Sequence, residues 1–180
     1  RAARLAYADL VTEVVKEFPE LQGHMGGVYA RKDDEGERVA VAVEQFYYPV
    51  AAKSPVPATA EAAVVSLAGK LDSLAGCFAA GLIPTGSADP YALRRQALGL
   101  LRIVLEKQLP LDLDDALARA VALQPAAVAD PAKLCAQLSD FIWGRAQFLF
   151  EEMKYAVDEV RSVRVGALKD FPNAFRRLAA

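Results

Sequence analysis

PTGSADPYALRRQALGLLRI, residues 84 to 103, carries the strongest structural signal in the chain. A polar loop containing a glycine runs into Asp89-Pro90, and an apolar segment studded with arginines follows at once. Asp89 suits an N-cap, because its carboxylate accepts a hydrogen bond from a free N–H of the first turn. Pro90 suits the first helical position, where its missing N–H costs nothing. Leu93, Ala97, Leu100, Leu101 and Val104 recur at the spacing of one helical face. Arg95 and Arg102 superpose roughly opposite that stripe, and Arg94 sits on its flank. The segment predicts a rigid rod with one buried face and one basic face.

The rest of the chain agrees with a helical fold. Hydrophobic residues make up 54% and charged residues 24% of its 180 residues, which excludes a disordered chain and suits one domain with a sizeable core. Alanine and leucine abound and β-branched runs are few, which favours helices. Periodicity predicts a helix over Leu5 to Phe18, stopping before Pro19, and a short one over Leu21 to Ala30. A charged turn is expected from Lys32 to Glu37. The VAVAV run inside Arg38 to Tyr48 alternates like a strand, but a lone strand among helices has no partner, so a helix is expected. Beyond a proline-bearing loop (Pro49 to Pro57), Thr59 caps a long helix to Ala80, with Val65, Ala68, Leu71, Ala75 and Phe78 along one face. After the loop from Gly81 to Ala88, the arginine helix runs to about Pro110. Asp112 caps Leu113 to Leu123, and Asp130-Pro131 opens a helix that runs past Met153. Val157 to Leu168 and Phe171 to Leu178 complete an all-α bundle of about eight helices.

The formal charge of −2 means that any contact with nucleic acid must come from a local basic patch. Cys77 and Cys135 lie far apart inside apolar helical patterns and read as reduced core thiols. No apolar run of spanning length and no signal-peptide pattern is expected, so the reading is cytoplasmic, without a membrane partner. The chain opens at Arg1 within helical periodicity and reads as an excised domain.

Together with YADLVTEVVKEFPELQGHMGGVYA (residues 7 to 30) and LAGKLDSLAGCFAAG (residues 67 to 81), the arginine segment resembles the β subunit of the bacterial two-subunit glycyl-tRNA synthetase. GRAQFLFEEMKYAVDEVRSV (residues 144 to 163) fits the same family more loosely. The resemblance covers nearly the whole chain. It implies a single HD-like helical domain over residues 1–180, with 1–110 as the best-matching core and 111–180 as its C-terminal helices. It also implies membership of a class II α2β2 glycine–tRNA ligase in which ATP-dependent glycine activation, with Mg, takes place on the α subunit. The β subunit would then supply recognition of tRNA(Gly) and scaffolding, with no cofactor on this domain and no DNA partner.

HD domains often place a His-Asp pair and further ligands around a divalent metal. The position matching that pair reads Ala8-Asp9, and the family's Ala-Asp-Lys-Leu-Asp motif reads Ala68-Gly69-Lys70-Leu71-Asp72. An imidazole and a carboxylate are missing, so Asp9 and Asp72 read as vestigial positions rather than as a hydrolytic metal centre. An HD-type metal-dependent phosphohydrolase is the alternative reading. His24, the sole histidine, has no second ligand or nucleophile near it in motif and reads as an exposed loop residue. GHMGG (residues 23 to 27) and GLIPTGS (81 to 87) lack the context of nucleotide-binding motifs and read as turns. Arg94 and Arg95, extended by Arg102, Lys70 and Lys107, are the candidate tRNA-binding groups, since guanidinium forks onto phosphate oxygens. The competing reading pairs these bases with Asp72, Asp89 or Glu106. Glu151, Glu152, Asp158 and Glu159 read as a solvated acidic face, and Phe141, Trp143, Phe148, Phe150 and Tyr155 as mostly core.

Overall fold

The arginine segment folds into a helix from Leu93 to Glu106 whose inward stripe is sealed: Leu93, Ala97, Leu100, Leu101 and Val104 are all fully buried. The computed structural model describes residues 1–86, 89–124 and 128–180; Ser87 and Ala88, in the loop expected before this helix, lie outside the described residues. Among the described residues there are ten α-helices, two 3₁₀ turns and no strand. In chain order they are α1 (Ala2–Leu5), α2 (Glu13–Glu17), α3 (His24–Lys32), α4 (Glu37–Glu44), α5 (Ala60–Ala79), α6 (Leu93–Glu106), α7 (Leu113–Ala122), α8 (Pro131–Glu152), α9 (Val157–Ser162) and α10 (Phe171–Leu178). The chain forms two compact units, residues 1–69 and 70–180, with the division inside α5.

In the first unit, the continuous helix expected over Leu5 to Phe18 is broken into three short pieces. Tyr7 takes a left-handed backbone (φ 67°) after α1, a 3₁₀ turn spans Ala8–Val11, and Thr12 restarts the chain as the N-cap of α2. A residue with positive φ cannot continue a right-handed helix, and periodicity alone does not reveal it. A second 3₁₀ turn at Pro19–Leu21 shifts the next helix to His24–Lys32. Gly26 and Gly27 therefore lie inside α3 rather than in a turn. There they permit close packing on α4: a Cβ would come within 2.9 Å of Val43 Cγ1 at position 26 and 2.7 Å of Glu44 Cβ at position 27. Only Gly23 has the positive φ expected of this cluster. The VAVAV segment is helical, as expected, with Ala40, Ala42 and Val43 buried. Ala2, Ala42, Val43 and Ala62 form a small apolar cluster with Leu5, Val39 and Val65 against it.

Thr59 caps α5 as expected, its Oγ1 accepting from Ala62 N at 3.2 Å. The buried side of α5 differs from the expected one. Ala63, Ser66, Leu67, Lys70, Leu74 and Phe78 face inward, while Ala68 is exposed. A helix apolar on most sides offers several competing stripes, and the one chosen runs through a lysine. By length and composition alone α5 could also cross a membrane, which departs from the expected absence of such a segment; its buried stripe is what a core helix presents as well.

In the second unit α6 packs on α8 and α10, α7 on α8, and α8 on α9. Asp112 and Asp130 cap α7 and α8, accepting from Asp115 N and Lys133 N at 3.0 and 2.9 Å, and Asp170 caps α10. Helix α8 ends at Glu152, and α9 ends at Ser162, short of the expected Leu168. Phe150 stacks between Phe171 and Phe175 at 5.4 and 5.8 Å, and Phe78 meets Phe141 at 5.1 Å, so most of the late aromatics are core, while Phe148 is exposed. Cys77 and Cys135 are free thiols, and burial pushes the Cys77 thiol above its ordinary value.

Buried polar groups are few, and Lys70 is the only buried base among the described residues. Burial pushes its ammonium down from 10.5 to about 8. The folded state thus disfavours the proton. Below about pH 8 both states hold it and the cost of folding is complete, whereas between about 8 and 10.5 the unfolded chain binds more protons and stability rises with pH. Urea unfolding of wild type and Lys70→Met as a function of pH should show the difference moving in favour of wild type from pH 8 upward. Separately, Asp130→Ala removes the cap of α8 and is expected to cost about 1 kcal/mol in the same measurement.

Candidate functional site

The basic face of α6 is positioned by its entry. Asp89 caps the helix, but from four residues before its first helical residue: Oδ1 accepts from Leu93 N at 2.8 Å and Oδ2 from Arg94 N at 3.1 Å. Pro90 and Tyr91 form a turn, and Ala92 takes a left-handed backbone (φ 55°) at the N-cap. Pro90 is therefore not the first helical residue. Asp89-Pro90 thus departs from Asp130-Pro131, where the aspartate is the N-cap and the proline opens α8; at α6 the reversal at Ala92 brings the carboxylate back over the free N–H groups.

The five candidate bases fare differently, and Lys107 is the half-buried C-cap residue of α6. Arg95 is exposed on the outer side of α6. Arg94 is half-buried, and its Nη2 donates to the Gly86 carbonyl at 2.6 Å, which tethers the guanidinium to the preceding loop. Arg102 does not stand open beside Arg95: its Nε and Nη2 reach Glu106 Oε1 at 2.8 and 2.7 Å, and its side chain is only 16% exposed. Lys70 is 6% exposed, so it does not extend a solvent-facing patch. Of the acids weighed as partners, Glu106 takes Arg102, Asp89 takes the backbone N–H of Arg94, and Asp72 accepts from Gln124 Nε2 at 3.3 Å. Asp72 is exposed and lies in the second unit.

Asp9 lies in the first unit, 2% exposed, on the 3₁₀ turn after Tyr7. Its Oδ2 accepts from Gly23 N at 2.6 Å and its Oδ1 from the Tyr47 hydroxyl at 2.9 Å. Burial, and then the adjacent Asp9 carboxylate, hold the Tyr47 phenol well above its ordinary range, although a hydrogen bond with Gln22 works against the shift. The Tyr47 ring packs edge-on to Phe46 at 5.0 Å, and Phe46 to Tyr7 at 4.6 Å. A Cβ at Gly69 would lie 2.4 Å from Phe46 Cζ. Sequence reasoning identifies Asp9 and Gly69 but misses Phe46 and Tyr47, which fall at the end of the helix expected over Arg38 to Tyr48, whereas α4 ends at Glu44 and leaves both in the turn after it.

A divalent metal of the HD kind needs several carboxylate or imidazole ligands around an open position. These residues do not fit one. Both Asp9 oxygens face hydrogen-bond donors, a ring lies on Gly69, and among the described residues no three His, Cys, Asp or Glu side chains stand together to hold an ion. His24 opens α3 with its ring 60% exposed, and its Nδ1 lies 3.3 Å from Glu44 Oε1, the carboxylate that also pairs with Arg31 at 2.9 Å.

Residues 1–165 match the family described as glycyl-tRNA synthetase beta subunit. The glycine–tRNA ligase beta subunit of Acidithiobacillus ferrooxidans is 45% identical over 164 residues, which cover 91% of this chain and 24% of that protein. The corresponding subunit of Pseudomonas fluorescens is 46% identical over 99% of the chain and 27% of its own length. That of Nitratidesulfovibrio vulgaris is 51% identical over 81% of the chain and 21% of its length. The chain thus spans about a quarter of the length of the curated relatives it matches. A helical match sustained from the first residue through α9 is a likeness of the whole sequence rather than of a motif, and on it the chain belongs to the glycyl-tRNA synthetase beta subunit family.

Proposed function

We propose that this chain serves within a glycine–tRNA ligase as an HD-like helical frame that turns basic side chains toward tRNA(Gly) and helps hold the subunits together. Glycine activation, with its ATP and Mg, belongs in this reading to a separate α subunit, and the assembly works in the cytoplasm. The observation that carries the reading is Arg95. It is exposed on a helix whose opposite stripe is completely buried, so its direction is set by packing that a phosphate does not have to supply. Arg94, held at Gly86, adds a second guanidinium on the adjoining flank. Arg102 and Lys70 contribute to the frame: the first closes an ion pair along α6, and the second lies within the packed side of α5.

The hydrolase reading finds less support, because Asp9 spends its acceptors on the protein's own donors.

In the whole synthetase, Arg94→Glu/Arg95→Glu should weaken tRNA binding and flatten its salt dependence. The slope of log K against log salt should fall by about one for each phosphate that the variant no longer neutralises. Filter binding or fluorescence titration at several salt concentrations measures both quantities. Unchanged affinity and slope in a variant that melts like wild type would assign the two arginines to structure alone.

A further inference from the structure

We infer that an aromatic plug, Phe46 flanked by Tyr7 and Tyr47, has taken the space of a second ligand in the first unit, and that Asp9 has become the anchor of that plug rather than a ligand for any divalent ion. The three rings touch one another, with centroids 4.6, 5.0 and 5.9 Å apart, all edge-on. Phe46 is 5% exposed and lies against position 69, where a Cβ would meet its Cζ at 2.4 Å and its Cε2 at 2.5 Å. Approaches that short are not found for real Cβ atoms, so ring and side chain exclude one another. At the other end of the cluster, Tyr47 donates its hydroxyl proton to Asp9, and Gly23 N–H holds the second oxygen. A cation approaching Asp9 would have to displace both donors, and the Phe46 ring leaves no room at position 69 for a side chain that could join Asp9 in holding it. Tyr7 keeps a left-handed backbone, a conformation of modest cost in a non-glycine residue that persists where the surroundings determine it. The packing of its ring on Phe46 and Tyr47 supplies that determination.

This inference concerns the interior of the first unit and stands or falls separately from the tRNA-facing role, since Arg94 and Arg95 belong to the second unit.

The test is the sign of a substitution at Gly69 in the full chain. At an unhindered interior helical position, Gly→Ala raises stability by restricting the unfolded chain. Here Gly69→Ala should lower the melting midpoint, and Phe46→Leu, which shortens the ring, should reduce or reverse that loss in the double variant. Gly69→Asp should be worse than Gly69→Ala, and should remain without stoichiometric Mn2+ in equilibrium dialysis. Wild type should likewise retain no stoichiometric Mn2+ at micromolar metal. Gly69→Ala melting at or above wild type, equal effects of that substitution with Phe46 and with Leu at position 46, or one bound Mn2+ per chain that Asp9→Asn abolishes would each overturn the inference.

Discussion

The complete burial of one stripe of α6 is the constraint from which the character of the second unit follows. Five apolar side chains at the spacing of a single face leave the helix no rotational freedom, because any turn about its axis would bring leucines into water at a cost of several kcal/mol. Everything else on α6 is thereby assigned a direction. Arg95 is sent outward, Arg94 is left on the flank within reach of the Gly86 carbonyl, and Arg102 lies where Glu106, one turn on, can close on it. Packing on α8 and α10 holds this orientation from within. The basic character of the helix is therefore a by-product of hydrophobic packing rather than of any attraction among charges. That origin suits a chain whose formal charge is slightly negative.

The first unit obeys a different rule. Its helices are short, and several of its tight approaches depend on missing side chains. Gly26 and Gly27 let α3 sit against α4, and Gly69 admits the Phe46 ring. A buried carboxylate would be a liability in such packing, and Asp9 is tolerable because each oxygen has its own donor. The same two bonds join three separate stretches of chain: the turn after α1, the loop before α3 and the segment after α4.

The legible parts of the fold are those in which one local signal faces no competitor. The stripe of α6 and the aspartate caps of α7 and α8 are strong patterns, and the structure follows them. The N-terminal stretch is less legible because the apolar spacing from Leu5 to Phe18 survives a break that depends on the backbone of a single residue, Tyr7. On α5, small apolar residues surround the helix, so periodicity cannot choose among faces. Lys70, a surface base by its pattern alone, lies on the buried one. The candidate site shows the same division. Arg94 and Arg95 follow from α6, whereas the Asp9 cluster depends on pairings across 14 and 38 residues of sequence that no local pattern encodes. Gly69 is visible in the sequence as an absent carboxylate, but the ring that fills its place comes into view only with the fold.

The entry to α6 bears on how a polyanion could meet this helix. The first free amides of a helix ordinarily form an attractive cradle for a phosphate group. Here Asp89 already occupies Leu93 N–H and Arg94 N–H, and it brings a negative charge to the same spot. The helix is in effect stoppered by its own sequence. A nucleic-acid strand would be repelled from the tip and drawn to the side of the rod, so that it would lie across α6 instead of being received end-on.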